Sequence, residues 1–237
     1  VVDEANGAIP VLAGAGSYST SSALELIDDM DTVGASGILS VTPYYNKPTQ
    51  EGLYRHFETI ASNTGLPIVV YNVPGRTGCN IDPQTVLRLS SIPNIVGIKE
   101  ASGRLEQICD VCRIVPEQFC VLSGDDAFTL AVIALGGTGV ISVVANETPD
   151  QMSELVNLAN AGQFDKARSI HERLLPLMQI NFVESNPIPV KAAMAALGLI
   201  EETYRLPMVA PSEKSRTRIT AVLKTMKLGI SGDPTQE

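Results

Sequence analysis

Six short apolar runs rich in Val and Ile recur along the chain, at 9–13, 38–41, 68–73, 95–98, 119–122 and 140–144. The steps between their first residues are 29, 30, 27, 24 and 21. Runs this short, apolar on both faces, predict parallel strands covered on both sides. Segments of helical period lie between them. Residues 19–33 put Leu24, Ile27 and Met30 on one face, and 50–61, 83–89, 105–115 and 127–135 fill the next gaps. Gly34, Gly65 and Gly136 stand where such helices should stop. Residues 1–7 read as the tail of a helix followed by a Gly turn. Strand alternating with helix at this spacing predicts repeated βα units on a parallel sheet.

After the sixth run the pattern is helical only, at 149–159, 164–178, 188–197 and 213–227. A closed TIM (β/α)8 barrel takes eight βα units in about 250 residues. The expected architecture is therefore α/β, of the TIM-barrel type with a C-terminal helical extension. Residues 1–160 supply six barrel units and 161–237 a helical region. The first two units are expected to fall ahead of Val1. An open doubly wound sheet would accept six strands. Against it, the first run leads into Gly14-Ala15-Gly16, a tight turn without the Gly-rich dinucleotide fingerprint.

Composition narrows the function. The chain has 237 residues, 44% of them hydrophobic, and a net charge of −9. That argues against nucleic acid or an anionic membrane as partner, and no apolar run approaches the roughly 18 residues of a membrane span. Four cysteines, at 79, 109, 112 and 120, read as cytosolic thiols. Cys109 and Cys112 form a C-x-x-C, but no second pair or nearby His completes a metal site. His56 and His171 fall in predicted helices and read as surface or boundary residues rather than ligands.

Barrel enzymes carry their chemistry at the carboxyl ends of strands. Lys99 closes the fourth run. A lysine there loses solvation, its pKa falls, and the neutral amine can attack a carbonyl carbon. Spacing alone supports equally an ion pair with Glu100 or another acid. Tyr71 closes the third run, on the strand expected beside it, and reads either as a proton shuttle or as a rim aromatic. Arg76 follows in a Pro-Gly-rich loop, as a fork for a carboxylate or as a surface charge paired with an acid. Asp125 and Asp126 stand where the next helix needs an N-cap and first-turn acids.

Five stretches carry a resemblance: Val41-Thr42-Pro43-Tyr44-Tyr45-Asn46, Tyr71-Asn72-Val73-Pro74-Gly75-Arg76-Thr77-Gly78, Gly97-Ile98-Lys99-Glu100-Ala101, Leu122-Ser123-Gly124-Asp125-Asp126 and Asn186-Pro187-Ile188-Pro189-Val190-Lys191. In order and spacing the chain resembles the dihydrodipicolinate synthase family of Schiff-base pyruvate lyases, from about Ile9 to Pro207. The resemblance implies that Lys99 forms an imine with pyruvate and Tyr71 relays protons. It implies that Arg76 holds the carboxylate of L-aspartate 4-semialdehyde and that Tyr45 reaches into a neighbouring subunit's site. Gly124 and Ile141 would line the pyruvate pocket. The implied product is 4-hydroxy-tetrahydrodipicolinate, on the route to diaminopimelate and lysine. The implied setting is a cytoplasmic homotetramer that needs no cofactor and no metal. Lysine-inhibited members carry Asn and Glu where this chain has Tyr18 and Ser22, so weak lysine feedback is expected. The family's Gly-Thr-Thr-Gly-Glu segment, which binds the pyruvate carboxylate, has no counterpart in the 237 residues. Two alternatives follow: another pyruvate-dependent aldolase, such as N-acetylneuraminate lyase, or a non-catalytic barrel remnant. Arg76 favours the synthase over the sugar-acid enzymes.

Overall fold

A computed structural model describes residues 1–229. Along the chain run α1 (Val2–Ala5), β1 (Leu12–Gly14), α2 (Thr20–Thr32), β2 (Gly37–Val41), α3 (Gln50–Ser62), β3 (Ile68–Asn72), α4 (Pro74–Thr77) and α5 (Pro83–Leu89). They are followed by β4 (Ile95–Glu100), α6 (Leu105–Ile114), β5 (Cys120–Ser123), α7 (Thr129–Ala134), β6 (Gly139–Val140), α8 (Pro149–Asn160), α9 (Phe164–Ile180), α10 (Ile188–Ala196) and α11 (Glu213–Thr225). The described chain divides into two compact units. The first comprises Val1–Gly124 and Ala131–Val140; the second comprises Asp125–Leu130 and the described residues from Ile141 onward. Residues 230–237 of the predicted helical region lie outside the described residues.

In the first unit the six strands form one parallel sheet in chain order, β1-β2-β3-β4-β5-β6. Doubly wound sheets reverse strand order at a switch point, and the described strands have no such reversal. Right-handed crossovers that always add the next strand on the same side are the wiring of a barrel wall. The helices α3, α5 and α6 cover the sheet. Ile38, Ile68 and Ile98 from the strands meet Leu53, Phe57 and Ile60 of α3 and Val86 and Leu89 of α5 in one buried cluster. Gly97 lets β4 and β5 approach: a Cβ there would stand 2.6 Å from the Cys120 carbonyl oxygen.

Strand ends depart from the predicted runs. The run 9–13 becomes a strand only from Leu12, because Pro10 has no N–H for a ladder and the Val11 N–H donates to the Ser36 hydroxyl at 3.0 Å. Cys109 and Cys112 lie on α6. Burial, with Cys109 and Glu100 nearby, pushes the Cys112 thiol up to about 11, opposite to what a reactive thiolate needs.

His56 is a correction. It is buried, not at the surface, with Nδ1 2.9 Å from the Thr20 hydroxyl. The spacing Leu53, His56, Phe57, Ile60 puts it on the buried stripe of α3. Burial lowers its pKa from 6.5 to about 4. The native state therefore binds this proton later than the unfolded chain does. The associated stability is intact above pH 6.5 and is lost as pH falls toward 4, by up to about 3 kcal/mol. Denaturant titrations across that window should show this slope, and His56→Gln should flatten it; an unchanged slope would count against the assignment.

In the second unit α8 packs on α9, and α11 packs on α9 and α10. Leu155, Leu174 and Leu177 are fully buried there. The acids that follow β5 divide their roles. The Asp125 side chain accepts from the Ala127 N–H at 2.9 Å, as an N-cap should. Asp126 stands in the first turn of the short 3-10 helix Asp126–Phe128 and is buried there, its Oδ2 accepting from the N–H groups of Val143 and Val144 at 2.9 and 3.1 Å. Those two donors are taken from any ladder. This is why the predicted run 140–144 ends as a strand at Val140 and turns into a short 3-10 helix, Val144–Asn146.

Candidate active site

The carboxyl ends of β3 and β4 bring two of the chemistry-bearing residues together. Tyr71 and Lys99 are cross-strand partners in the register. The Lys99 Nζ lies 4.2 Å from the centroid of the Tyr71 ring, over its face. Both side chains are half-buried. Lys99 is the penultimate residue of β4 and Tyr71 the penultimate residue of β3, so each is held by regular backbone rather than by a loop.

Arg76 belongs to this group. Its segment is a single helical turn, α4, started by Pro74 and stopped by Gly78 in the left-handed conformation, φ 74°. A cavity of about 400 Å³ is lined by Val41, Tyr44, Tyr71, Arg76 and Thr77 together with the Gly14–Gly16 turn. Gly16 is required there: a Cβ would come within 2.7 Å of the Val41 side chain. Burial raises the Tyr71 phenol above its usual 10, and the Arg76 charge pulls it back in part. At neutral pH the phenol keeps its proton and can donate it.

Tyr45 lies in the loop after β2. It is 89% exposed, with φ 76°. A bulky residue at positive φ is uncommon and marks a loop shaped for something other than local stability. Beside it Tyr44 meets Tyr18 edge-on, ring centroids 5.8 Å apart, and the Asn46 amide donates to the Tyr18 carbonyl. Gly124 adjoins the end of β4, its N–H donating to the Glu100 carbonyl at 2.8 Å. A Cβ on Gly124 would stand 2.6 Å from that of Ala101. Ile141 follows β6, is half-buried and belongs to the second unit.

The motif reading missed a polar network. Glu100, only 1% exposed, accepts from Asn72 Nδ2 at 2.9 Å and from the Ser102 N–H at 2.7 Å. Asn72 Nδ2 also donates to Asn80 Oδ1, which takes a further bond from Gln107. The Glu100 carboxylate takes hydrogen bonds from amide and backbone donors.

An ordered parallel sheet with a lysine against a phenol at its strand ends defines an α/β enzyme equipped for amine–carbonyl chemistry. The family model described as "Dihydrodipicolinate synthetase family" matches residues 1–226. The chain belongs to that family. The 4-hydroxy-tetrahydrodipicolinate synthase of Syntrophus aciditrophicus (strain SB) is 49% identical over 227 residues, 96% of this chain and 78% of that protein. The synthase of the same name from Archaeoglobus fulgidus is 48% identical over 220 residues, 93% of this chain and 76% of that protein. Among solved structures, dihydrodipicolinate synthase from Thermotoga maritima superposes with a TM-score of 0.94 at 47% identity, over 96% of this chain and 79% of that one. No helix among the described residues is long and apolar enough to cross a membrane.

Proposed function

We propose that the chain is a 4-hydroxy-tetrahydrodipicolinate synthase that condenses pyruvate with L-aspartate 4-semialdehyde through a Schiff base on Lys99. The observation that carries the reading is the Lys99 amine over the Tyr71 ring, with Arg76 in the same cavity as that ring. The neutral Lys99 amine adds to the pyruvate ketone. Water leaves as the C=N bond forms, and its oxygen takes protons relayed by Tyr71. The imine nitrogen takes a proton, loss of a methyl proton then gives the enamine, and its carbon attacks the aldehyde as the aldehyde oxygen is protonated. The semialdehyde's own amine then displaces Lys99, closing the ring and freeing the enzyme. Arg76 presents a planar fork to the semialdehyde carboxylate. Gly124, which lets the chain pass close to Ala101 at the end of β4, borders the pyruvate pocket in this reading.

The fuller architecture is part of the proposal. Residues 1–160 supply units of a TIM barrel and the described residues from 161 onward a C-terminal helical region. The working assembly is a cytoplasmic homotetramer in which the exposed Tyr45 enters a neighbouring subunit's site. Family membership and the alignment of 96% of this chain with a synthase of this name support the substrate assignment.

The test is steady-state turnover with both substrates. Arg76→Ala should raise the KM for the semialdehyde by roughly 30-fold or more, the worth of a lost charge-assisted pair of about 2–4 kcal/mol, and leave the KM for pyruvate near its starting value. Equal effects on both substrates would remove Arg76 from this role. Turnover with a sugar-acid substrate in place of the semialdehyde would point to a different aldolase.

A further inference from the structure

We infer that Glu100 is a positioning residue for the Lys99–Tyr71 pair, clamping the ends of β3 and β4 from the opposite face of the sheet through Asn72. The inference rests on the reading of Lys99 as the imine-forming amine. Tyr71 pairs with Lys99 in the register, and Asn72 with Glu100 immediately after. Alternation sends the first pair to one face and the second to the other. On the second face both residues are fully buried, and Asn72 Nδ2 donates to Glu100 Oε2 at 2.9 Å.

The clamp is tied at every corner. Asn72 Oδ1 accepts from the Ile81 N–H at 3.1 Å, fixing the segment after α4. Glu100 Oε1 accepts from the Ser102 N–H at 2.7 Å, fixing the chain as it leaves β4. The Ala101 N–H donates to the Asn72 carbonyl at 2.8 Å, continuing the ladder past both strand ends. The carboxylate takes its hydrogen bonds from the Asn72 amide and the Ser102 backbone. An apolar pair would fill the same space at a lower desolvation cost. What the polar clamp adds is direction: it sets the height and rotation of the two strand ends one residue from each reacting side chain. Misplacement by about an ångström costs on the order of 100-fold in rate.

The experiment uses the full chain and measures the rate at which borohydride fixes pyruvate on Lys99, together with kcat, both KM values, circular dichroism and Tm. Glu100→Gln turns an acceptor into an amide that faces the donors of Asn72 and Ser102. The Asn72→Asp/Glu100→Gln double variant reverses the pair and restores the donor–acceptor match between residues 72 and 100, while giving up the bond from Asn72 to Asn80. Wild-type chain should trap pyruvate. Glu100→Gln should fold, with trapping rate and kcat lower by roughly 10- to 100-fold and the semialdehyde KM within about threefold. The double variant should trap pyruvate faster than Glu100→Gln alone, which a general loss of stability would not do. Wild-type trapping rates in a folded Glu100→Gln variant overturn the inference and leave the Lys99 reading intact. If Glu100→Gln does not fold, the double variant decides: fast trapping supports the clamp and slow trapping in a folded protein overturns it. A wild-type chain that traps no pyruvate overturns the Lys99 reading and this inference with it.

Discussion

Lys99→Ala should abolish pyruvate trapping and lower turnover by at least about 10³-fold, the scale seen when a covalent nucleophile is removed. Alanine deletes the amine that lies over the Tyr71 ring, while the β4 backbone pairing that places residue 99 is untouched. The variant should therefore fold, and circular dichroism should match the parent. Turnover and trapping should fall together, because every later step passes through the imine. Trapping that persists at Lys191, the lysine of the Asn186–Lys191 stretch, would place the chemistry elsewhere.

Tyr71→Phe should lower kcat by roughly 10²- to 10³-fold, the usual worth of a positioned proton donor. Phenylalanine keeps the ring under Lys99 and removes only the hydroxyl, so the amine keeps its place. The loss should fall on kcat more than on the KM for either substrate. In the parent, burial holds the phenol above 10 against the partial pull of Arg76. The donor is thus fully protonated at neutral pH, and activity that depends on it should decline only on the alkaline side. A Tyr71→Phe enzyme with full kcat would remove Tyr71 from the proton path.

The strands were legible because parallel strands covered on both faces are apolar throughout, and the runs at 38–41, 68–73 and 95–98 all became strands. The helix Pro83–Leu89 fell on its predicted bounds, fixed by Pro83 in the first turn. Where polar side chains capture backbone donors the pattern misled. Asp126 draws the N–H groups of Val143 and Val144, and an apolar run cannot announce that. The placement of His56 was readable in principle from its spacing to Leu53, Phe57 and Ile60, but its polarity masked it. At the candidate site, Lys99, Tyr71 and Arg76 were visible as exceptions in apolar or Pro-Gly-rich surroundings. The Glu100–Asn72 pair was not, because two polar residues 28 positions apart become partners only once the strand register is known.

The central claim is that pyruvate forms an imine with Lys99. It is tested most directly by treating the chain with pyruvate and borohydride, digesting it and locating the reduced three-carbon adduct by mass spectrometry. The account predicts one adduct, on the peptide that carries Lys99, absent when pyruvate or borohydride is withheld. An unmodified Lys99 peptide alongside a stable adduct on another lysine, or no adduct at all, would contradict it.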